Sequence, residues 1–378
     1  MIGYKFMGRA HTNAWKKAPL FFDTHYHPVL KAVCGRHEAP LRDFARKWEW
    51  ADIETDWREL VKRSDIDVID IAVPQHLHHD IVLAAAKNGK HIFCEKPMAM
   101  NSREAEEMLK ACQDNHVHHY LNHNYRRVPA LQLTKKLIDE GKIGKIYHWR
   151  CAYQQDWIMD PQFPLTWQLQ KEKAQAGPQW DLNSHCVDLA LFLIGKITAV
   201  SALTSHFITE RPLAEEATSR NLKVQAKGNE QGKVTVEDAA LMMVQFENGA
   251  VGSFEATRFA LGRKNRLSFE IYGSRGAIAF DLERLNELQY YSMEEDNETR
   301  GFKTILATGP EHAYISHWWP EGHIIGYEHT FVHAVADFLE SLHQKKPITP
   351  NFTDGISGLK VLEAGLLSAQ KGSVITIS

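Results

Sequence analysis

Short apolar runs alternate with helical patterns over the first third of the chain. This alternation is typical of βαβ units and predicts a parallel sheet. Strands are predicted at Val29–Cys34, Val68–Val73, His91–Cys94 and His119–Asn122. Helices are predicted from about His79 to Asn88, before Gly89, and from Ser102 to about Asn115, where Asn101 and Glu104 have the spacing of a capping box.

The pattern changes after about Arg127. One helix is predicted at Pro129–Asp139, and strands are then predicted at Ile146–Tyr153, Thr198–Ile208, Asp238–Phe246, Ala250–Ala260 and Arg266–Tyr272. Glu247–Gly249 has the Asn-Gly signature of a hairpin turn, so we expect a predominantly antiparallel sheet. Two late helices are predicted at about Glu328–His343 and Ser357–Gln370, and the polar stretch Arg211–Lys233 is predicted to be a mobile loop.

The length and composition favour a globular protein of two domains. The chain has 378 residues, of which 44% are hydrophobic and 24% charged. Lysine and arginine number 44 against 47 acidic residues, and this near-balance gives no electrostatic footprint for nucleic acid or an anionic membrane. No stretch resembles a signal peptide or the run of about 18 apolar residues that spans a bilayer.

Cysteines can form disulfide bonds, and cysteines and histidines can both bind a metal. The five cysteines are an odd number, scattered and without a C-x-x-C pair, which predicts reduced thiols in a cytoplasm. The 21 histidines include two clusters, but no H-E-x-x-H or Cys/His ligand spacing is present. We therefore expect no metal, and solvated or core histidines in both clusters: His76, His78 and His79, and His116, His118, His119 and His123.

A glycine-containing turn opens the chain. Gly3 and Gly8 fit the first and third positions of G-x-G-x-x-G, the turn whose backbone amides cradle a pyrophosphate, and a helical stretch begins near Ala10. Lys5 replaces the second glycine, so its side chain either points away or offers its ammonium to a phosphate. A strand-to-helix turn without any ligand explains the same residues equally well.

Two further features of this region leave alternatives open. Only two residues precede Gly3, so the central strand is expected to be missing, and we infer that the natural chain begins upstream of Met1 or that its start was misassigned. Where the second strand ends, Arg36 stands in place of the acid that binds the ribose hydroxyls of NAD. Arg36 could pair a 2′-phosphate or stack on adenine, so the predicted cofactor is NAD or NADP.

Several motifs in their order along the chain resemble the Gfo/Idh/MocA oxidoreductases. They are Val73–His78, Gly89–Pro97 with Glu-Lys-Pro, Asn124–Arg127, Trp180–Asp188, Val236–Asp238 and Phe246–Gly249. The resemblance implies an α/β protein with an N-terminal Rossmann NAD(P)-binding domain, at residues 1–124. It also implies a C-terminal α/β domain with an open, predominantly antiparallel sheet, at residues 125–378, that binds substrate and mediates homo-oligomers (dimers or tetramers).

Within the family, Tyr153–Trp157 and Pro164–Trp167 look most like the anhydrosugar- and glycoside-oxidising branch. Carried over by position, the catalytic residues are Lys96, Asp181 and His185. The cofactor-binding residues implied are Gly3, Lys5, Phe6, Met7, Gly8, Arg36, Pro74, His76, His78, Glu95, Lys96, Pro97, Asn124, Arg126 and Trp167. Departures from the family pattern are Lys5 for glycine, Gln75 for asparagine and Asn183 for glycine or alanine.

The chemistry of alcohol oxidation explains why a lysine is needed. The cofactor takes the hydride, and the protein must take the proton of the hydroxyl. Lys96 directly follows the strand His91–Cys94, at the carboxyl edge of the sheet where ligands bind in such folds. Pro97 is expected to fix the chain after it, and a cis bond at this proline would pin the direction of the lysine.

A second set of polar residues shares one helix face. Asp181, His185 and Asp188 are spaced i, i+4, i+7 in an otherwise apolar helix. We expect His185 to hydrogen-bond the reacting hydroxyl and Asp181 to bind a neighbouring hydroxyl, with Asp188 structural. The base is either Lys96 or His185.

A sugar site also needs aromatic faces and planar polar groups. Tyr153, Gln155 and Trp157 alternate on one strand face, with Asp156 on the other face or in the turn beyond. Together with Lys96, Asp181, His185 and Arg258 they form the expected substrate-binding set, and Trp167 is a further candidate wall.

The function predicted is hydride transfer between NAD(P) and a secondary hydroxyl of a sugar, anhydrosugar, glycoside or inositol. One alternative is an NAD-dependent glycosidase or lyase that oxidises a hydroxyl transiently and retains its cofactor. Another is a non-catalytic regulator, which would have little reason to keep Lys96, Asp181 and His185 together.

Overall fold

The computed structural model describes residues 1–214 and 226–377. Its helices are α1 (Phe6–Phe21), α2 (Glu38–Trp48), α3 (Trp57–Leu60), α4 (His78–Lys87), α5 (Ser102–Asp114), α6 (Pro129–Asp139), α7 (Lys171–Ala174), α8 (Pro178–Asp181), α9 (Asn183–Leu193), α10 (Tyr327–Gln344) and α11 (Phe352–Lys371). Its strands are β1 (Ala32–Cys34), β2 (Asp52–Glu54), β3 (Val68–Ile71), β4 (His91–Glu95), β5 (His119–Asn122), β6 (Ile146–Gln154), β7 (Ile197–Ser205), β8 (Glu210–Ala214), β9 (Ala226–Lys233), β10 (Ala239–Phe246), β11 (Val251–Thr257), β12 (Arg266–Gly273), β13 (Gly276–Asp281), β14 (Glu287–Ser292), β15 (Lys303–Leu306) and β16 (Ile375–Thr376). The chain divides into two compact units, residues 1–124 with 326–357 and residues 125–325 with 358–378.

The first unit contains the predicted parallel sheet. Strand β1 pairs with β2, and β4 pairs with both β3 and β5, all in parallel. Met1 and Ile2 lie between β1 and β3: Ile2 N–H donates to the Asp70 carbonyl at 2.7 Å, and Cys34 N–H donates to the Met1 carbonyl at 2.8 Å. The central strand that was expected to be missing is thus represented by one buried residue, Ile2, which forms isolated parallel bridges to Cys34 and Ile71.

Local signals set the element boundaries in this unit. The Asn101 carboxamide oxygen accepts the Glu104 N–H at 2.9 Å, which confirms Asn101 as the N-cap of α5. Helix α1 begins at Phe6 rather than near Ala10, because the turn after Gly3 is complete at Lys5. Strand β1 is shorter than predicted, and Val29, expected within it, is 77% exposed. Helix α2 was not predicted; it buries a short apolar stripe of Leu41, Phe44 and Ala45.

The second unit contains a nine-stranded sheet in the order β15-β14-β13-β12-β6-β11-β10-β7-β16. Neighbouring strands are antiparallel except β6 and β11, which are parallel, so the prediction of a predominantly antiparallel sheet is confirmed. The predicted hairpin turn also forms, since Phe246 N–H donates to the Ala250 carbonyl at 2.9 Å. Strands β13, β14 and β15 were not predicted.

One face of this sheet is buried and the opposite face carries apolar side chains into solvent. Along β10 the alternate residues Met242, Val244 and Phe246 are buried. Leu241 and Met243 between them are 48% and 66% exposed. Large exposed apolar side chains of this kind mark a surface suited to association.

The stretch Arg211–Lys233 is not a loop in its described parts. Strands β8 and β9 pair antiparallel, and the Leu165 N–H donates to the Pro212 carbonyl at 2.7 Å. Residues 215–225 of the same stretch lie outside the described residues. The polar composition suggested a loop because the pairing partner of a polar strand cannot be recognised from its own sequence.

Two properties of the whole chain complete the description. In the ranges 1–214 and 226–377, no helix is both long and apolar enough to cross a bilayer. Each of the five cysteines is a free thiol in a buried position. Burial raises the pKa of the Cys34 and Cys112 thiols to about 12.

Candidate active site

The turn at the start of the chain has the geometry of a phosphate cradle. Gly3 has a φ of 104°, and a Cβ at this position would overlap the carbonyl oxygen of Ala72. At Gly8 a Cβ would overlap the Gly3 carbonyl, so this glycine is required for the close packing of α1 on the turn. Lys5 has a φ of −80°, so the missing second glycine leaves no backbone strain.

The N-terminus of α1 adds a positive electrostatic potential at this turn, which favours the binding of an anion. This helix has 16 residues and no acidic side chain in its first turn. The first N–H groups of a helix have no partner within the helix and attract anions. The residues present therefore fit a dinucleotide pyrophosphate, with Gly3, Lys5, Phe6, Met7 and Gly8 in the turn and first helical residues. Arg36, after β1, is exposed.

The turns after β3 and β4 are tied together by a buried histidine. The His78 ring is fully buried, and its Nε2 lies 2.8 Å from the Val73 carbonyl while its Nδ1 lies 3.2 Å from the Met98 carbonyl. Burial lowers the pKa of His78. Through these two contacts the His78 ring links the main chains of the two turns. His76 and Pro74, from the same predicted set, lie in the turn after β3.

Lys96 lies where the sequence predicts, directly after β4. It is half-buried and is followed by a cis peptide bond to Pro97. Its backbone N–H donates to the carboxylate of Glu95 at 3.1 Å. Asn124, also predicted to contact the cofactor, is buried and donates to the Thr330 hydroxyl at 2.8 Å. Lys96 belongs to the first unit, whereas Asp181 and His185 belong to the second.

In the second unit, both helical carboxylates bond an arginine. Asp181 ends α8, and Leu182 separates it from α9, which carries His185 and Asp188. Both oxygens of Asp188 accept from Arg126, at 2.7 and 2.9 Å, in a pair with side chains 5% and 4% exposed. This pair accounts for the burial of Arg126, which was predicted to bind cofactor, and gives Asp188 the expected structural role.

His185 packs against Tyr125 and against Tyr153, which lies near the carboxyl end of β6. Its ring centre lies 4.6 Å from that of Tyr125 and 5.7 Å from that of Tyr153. The two phenolic oxygens are 3.0 Å apart, and Tyr153 donates to the Asn265 amide oxygen at 2.9 Å. Asn265 was missed by the sequence analysis, since its position before β12 carries no motif.

The line of hydrogen bonds continues beyond β6. Gln155 donates to the same Asn265 oxygen at 2.6 Å, and the Trp157 indole N–H donates to Gln155 at 2.9 Å. The three predicted side chains are thus brought together, but not by strand alternation, because β6 ends at Gln154. Asp156 is turned to Lys264, which donates at 2.7 Å and, as the largest cause, lowers the pKa of this carboxyl.

Arg258 is the centre of a second, buried polar group. Its guanidinium is 1% exposed, donates to Asp181 at 2.9 Å and lies 5.3 Å from the Trp157 ring centre. It also contacts the Gln168 carbonyl at 3.4 Å. Oγ1 of Thr166, Oε1 of Gln168 and Nε of Arg258 are buried, and none of them has a hydrogen-bond partner among the described residues.

This group, termed the Arg258 cluster, comprises Trp157, Thr166, Gln168, Asp181 and Arg258. Buried polar atoms are nearly always hydrogen-bonded, so unspent donors and acceptors mark a place built for a polar ligand. Thr166 and Gln168 were not predicted, although Thr166 lies within the Pro164–Trp167 motif. Trp167 itself is half-buried at the start of a short 3-10 turn.

The segment that follows Trp157 is held in place by a buried arginine. Arg211, on β8, is fully buried and donates to the carbonyls of Ile158 at 2.6 Å, Asp160 at 2.8 Å and Phe163 at 3.2 Å. Desolvation lowers the pKa of Arg211. This residue was not predicted as functional, because it falls in the stretch predicted to be a loop.

No metal centre emerges from the part of the chain that the structure describes: no three His, Cys, Asp or Glu side chains converge on a point there. Of the histidine clusters, His119 stacks on Phe352 with ring centres 4.7 Å apart. His79 bonds Asp80 and Glu107 at 3.0 and 2.8 Å.

Fold and site together define a nicotinamide-dependent oxidoreductase. Residues 1–123 match a family model described as an oxidoreductase family with an NAD-binding Rossmann fold. Residues 131–279 match the GFO/IDH/MocA C-terminal domain. The chain belongs to the Gfo/Idh/MocA family of oxidoreductases, which confirms the resemblance seen in its motifs.

Three relatives are similar over the whole length. The levoglucosan dehydrogenase of Pseudarthrobacter phenanthrenivorans is 40% identical over 379 residues, covering 100% of this chain and 97% of the relative. A crystal structure of an oxidoreductase domain protein from Kribbella flavida is 44% identical with a TM-score of 0.94, covering 100% and 98%. A levoglucosan dehydrogenase in complex with NADH and levoglucosan is 40% identical with a TM-score of 0.93, covering 100% and 98%.

Proposed function

We propose that this enzyme oxidises a secondary hydroxyl of an anhydrosugar or a closely related pyranoside, with NAD(P) as the oxidant. The observation that carries the proposal is the Arg258 cluster, whose buried polar atoms retain unspent hydrogen-bonding capacity beside the Trp157 ring. A hydroxyl-rich ring with apolar C–H faces would satisfy both features. The 40% identity to a levoglucosan dehydrogenase over the full length supports this substrate class.

The proposed nucleotide site uses the turn from Gly3 to Gly8 and the N-terminus of α1. Bound there, the nicotinamide dinucleotide supplies the acceptor for the hydride. The turn offers backbone N–H groups to the pyrophosphate, and Lys5 offers a positive charge. The remaining members of the implied set, Pro74, His76, Glu95, Pro97 and Asn124 with Trp167, stay a proposal, while His78 and Arg126 have the structural contacts described above.

Lys96 is the proposed base. Loss of a hydride from a carbinol carbon leaves a protonated carbonyl, so the hydroxyl proton must pass to a protein group as the hydride leaves. A neutral lysine amine accepts that proton and keeps it as an ammonium. His185 is proposed to hydrogen-bond the same hydroxyl, and either side chain could hold the proton in the transition state.

Asp181 is the proposed orienting group for the substrate. Arg258 donates to one of its oxygens and thereby orients the carboxylate, which as an anion is an acceptor suited to a sugar hydroxyl. Its side chain is 30% exposed, whereas the Arg258 side chain is 1% exposed. Tyr153, Gln155 and Trp157 would line the same ligand. Asp156, which is paired with Lys264, would act on the substrate only indirectly.

The wider organisation is proposed on three observations. Residues 1–124 are assigned to the nucleotide and 125–378 to substrate and self-association, a division supported by the two family models, although 326–357 pack with the first unit. The exposed apolar residues of β10 support a homo-oligomer, a dimer or tetramer, built on the open sheet. The buried free thiols support a cytoplasmic location.

The test is the near-ultraviolet absorbance of the reduced cofactor. NAD and NADP are supplied separately with levoglucosan, glucose, a methyl glucoside and an inositol. We expect levoglucosan or the glucoside to give absorbance with the wild type and none with Lys96→Met, whose side chain has similar length and no amine. Lys47→Met, at an exposed position of α2 that belongs to none of the proposed sites, is the control.

Three results would count against the proposal. Reduction with the inositol alone would overturn the substrate class. Release of free sugar or aglycone without net cofactor reduction would replace the dehydrogenase by a cofactor-retaining glycosidase. Full turnover by Lys96→Met would remove Lys96 as the base.

A further inference from the structure

A cluster of charged side chains is buried inside the first unit, next to the residue that precedes Lys96. His11 of α1, 1% exposed, lies between Asp70 of β3 and Glu95 of β4. Its Nδ1 is 2.7 Å from an Asp70 oxygen and its Nε2 is 2.9 Å from a Glu95 oxygen. Asp70 and Glu95 are 4% and 5% exposed, so water screens neither contact well.

The two carboxylate contacts favour a proton on both ring nitrogens of His11. A neutral imidazole has one N–H, so it could donate to one carboxylate and would set its lone pair against the other. The imidazolium donates to both, and charge-assisted hydrogen bonds of this length are strong. Burial alone opposes the charge, but the Asp70 and Glu95 contacts outweigh it and raise the pKa of His11 to about 10.

The surroundings hold the ring in one orientation. The Phe93 ring of β4 meets the imidazole edge-on with centres 5.4 Å apart, and Phe331 of α10 lies at 5.6 Å. The Trp15 indole N–H donates to the second Asp70 oxygen at 2.6 Å. Further titratable groups that act on the two carboxylates are the Met1 amino group, near Asp70, and His78, near Glu95.

Glu95 connects this cluster to Lys96. One carboxylate oxygen receives His11 and also the Asn122 amide at 2.7 Å. The other oxygen receives the backbone N–H of Lys96 at 3.1 Å. Both oxygens are therefore in use, and the carboxylate that fixes the Lys96 main chain is itself fixed by His11.

We propose that His11 is a positioning residue for Lys96, acting as an imidazolium clamp that holds Glu95 in the rotamer that anchors the Lys96 backbone. The inference rests on the proposed role of Lys96 as the base. Loss of the clamp removes the donor that the two buried carboxylates share, and their repulsion turns Glu95 away from Asp70. This rotation releases the Lys96 N–H and shifts the direction of the lysine side chain.

A clamp and a simple core contact predict different kinetics. A displaced base slows the chemical step and leaves ligand binding almost unchanged, so kcat should fall while KM and the Kd of NADH stay near their wild-type values. A general loosening of the core would instead lower the Tm and affect all constants in proportion. The matched control is Trp15→Phe, which removes one buried hydrogen bond at the far side of Asp70 without touching Glu95.

The kinetic experiment compares His11→Gln and Glu95→Gln with Trp15→Phe, using the best substrate from the panel above. We expect kcat to fall about tenfold or more in the first two variants, because small displacements of catalytic groups are costly. The Kd of NADH, measured by fluorescence, should change less than about threefold, and kcat of Trp15→Phe should stay within about twofold. Equal kcat losses in all three variants, or a wild-type kcat in His11→Gln, would overturn the inference.

A second measurement on the unaltered chain tests the charge directly. In ¹⁵N-histidine NMR, we expect both His11 ring nitrogens to remain protonated from about pH 6 to about pH 8, where an ordinary histidine titrates. His11→Gln provides the assignment, or Glu95→Gln through its shift if the first variant does not fold. A single protonated nitrogen would refute the clamp. If Lys96→Met kept full turnover, Lys96 would be excluded as the base, and the positioning role of His11 would fall with it even if the NMR showed an imidazolium.

Discussion

Arg258, the residue directly after β11, donates over 2.9 Å to Asp181, the last residue of α8, which lies 77 residues earlier in the sequence. The arginine side chain is 1% exposed and the aspartate 30%, so the pair has a buried cation and a partly open anion. The open side of the carboxylate is the part that a substrate could reach. The salt bridge thus presents an acceptor whose orientation is set before any ligand arrives.

Breaking this pair from the arginine side should impair both stability and binding. In Arg258→Met the hydrophobic stem is kept, but Asp181 loses its donor and Trp157 its cation. We expect a loss of about 2 kcal/mol, less than for a fully buried pair because Asp181 is partly solvated, together with a higher KM. Urea unfolding and steady-state kinetics measure the two effects. Arg266→Met, a half-exposed pair on β12, is the control, and an equal rise of KM there would argue against a specific role.

Arg211 should act on substrate affinity from a distance. It fastens the carbonyls of Ile158, Asp160 and Phe163, and so holds the segment that follows Trp157. In Arg211→Met three buried carbonyls lose their donor, so we expect a lower free energy of unfolding by about 1–3 kcal/mol. The KM for sugar should rise while the Kd of NADH stays constant. A higher Kd of NADH with an unchanged KM would contradict this assignment.

Lys5 should contribute to nucleotide binding through charge alone. Its φ of −80° makes glycine unnecessary at this position, so Lys5→Ala should fold normally. We expect a Kd of NADH raised by about three- to tenfold at low salt, with a smaller difference at high salt because the charge is screened. Fluorescence titration at two ionic strengths checks this. Lys47→Ala should behave as wild type, and a Lys5→Ala effect independent of salt would indicate a lost packing contact instead.

The His11 cluster should make stability depend on alkaline pH. The folded chain holds the His11 proton up to a pKa of about 10, whereas an unfolded histidine loses it near 6.5. Its contribution is therefore complete below about pH 6.5, declines by about 1.4 kcal/mol per pH unit above it, and is lost above about pH 10. Urea unfolding at several pH values, compared with His11→Gln, isolates this slope. Parallel curves for the two proteins would show that His11 is neutral in the folded state.

The structure explains which elements could be predicted from sequence. The N-cap Asn101 and the turn Glu247–Gly249 were found because their signals are local and their partners lie within a few residues. Lys96 was placed correctly because a residue after a parallel strand must lie at the carboxyl edge of its sheet. Helix α2 was missed although Leu41, Phe44 and Ala45 have the i, i+3, i+4 spacing of a helix face, because they are only three residues in a largely polar stretch.

The parts that could not be predicted depend on distant partners. Arg211 and Asn265 lie in polar surroundings, and their roles arise only when the chain brings them to Phe163 and Tyr153. His11 was predicted only as part of the first helix. The neighbouring sequence does not indicate its two carboxylate partners, which follow 59 and 84 residues later. Charge clusters assembled from separate strands leave no spacing pattern in the sequence.

Strand β6 occupies the fifth of nine places in its sheet, with β11 on one side and β12 on the other. Both neighbours fix its register, and a shift by one residue would turn every side chain of the strand to the opposite face. Inserted or deleted residues before Tyr153 would thus take its ring away from His185. Changes after Gln155 avoid that penalty. Changes in the segment beyond β6 can therefore alter which sugar is accepted without disturbing the strand, whereas a change in the length of the strand would disrupt its register.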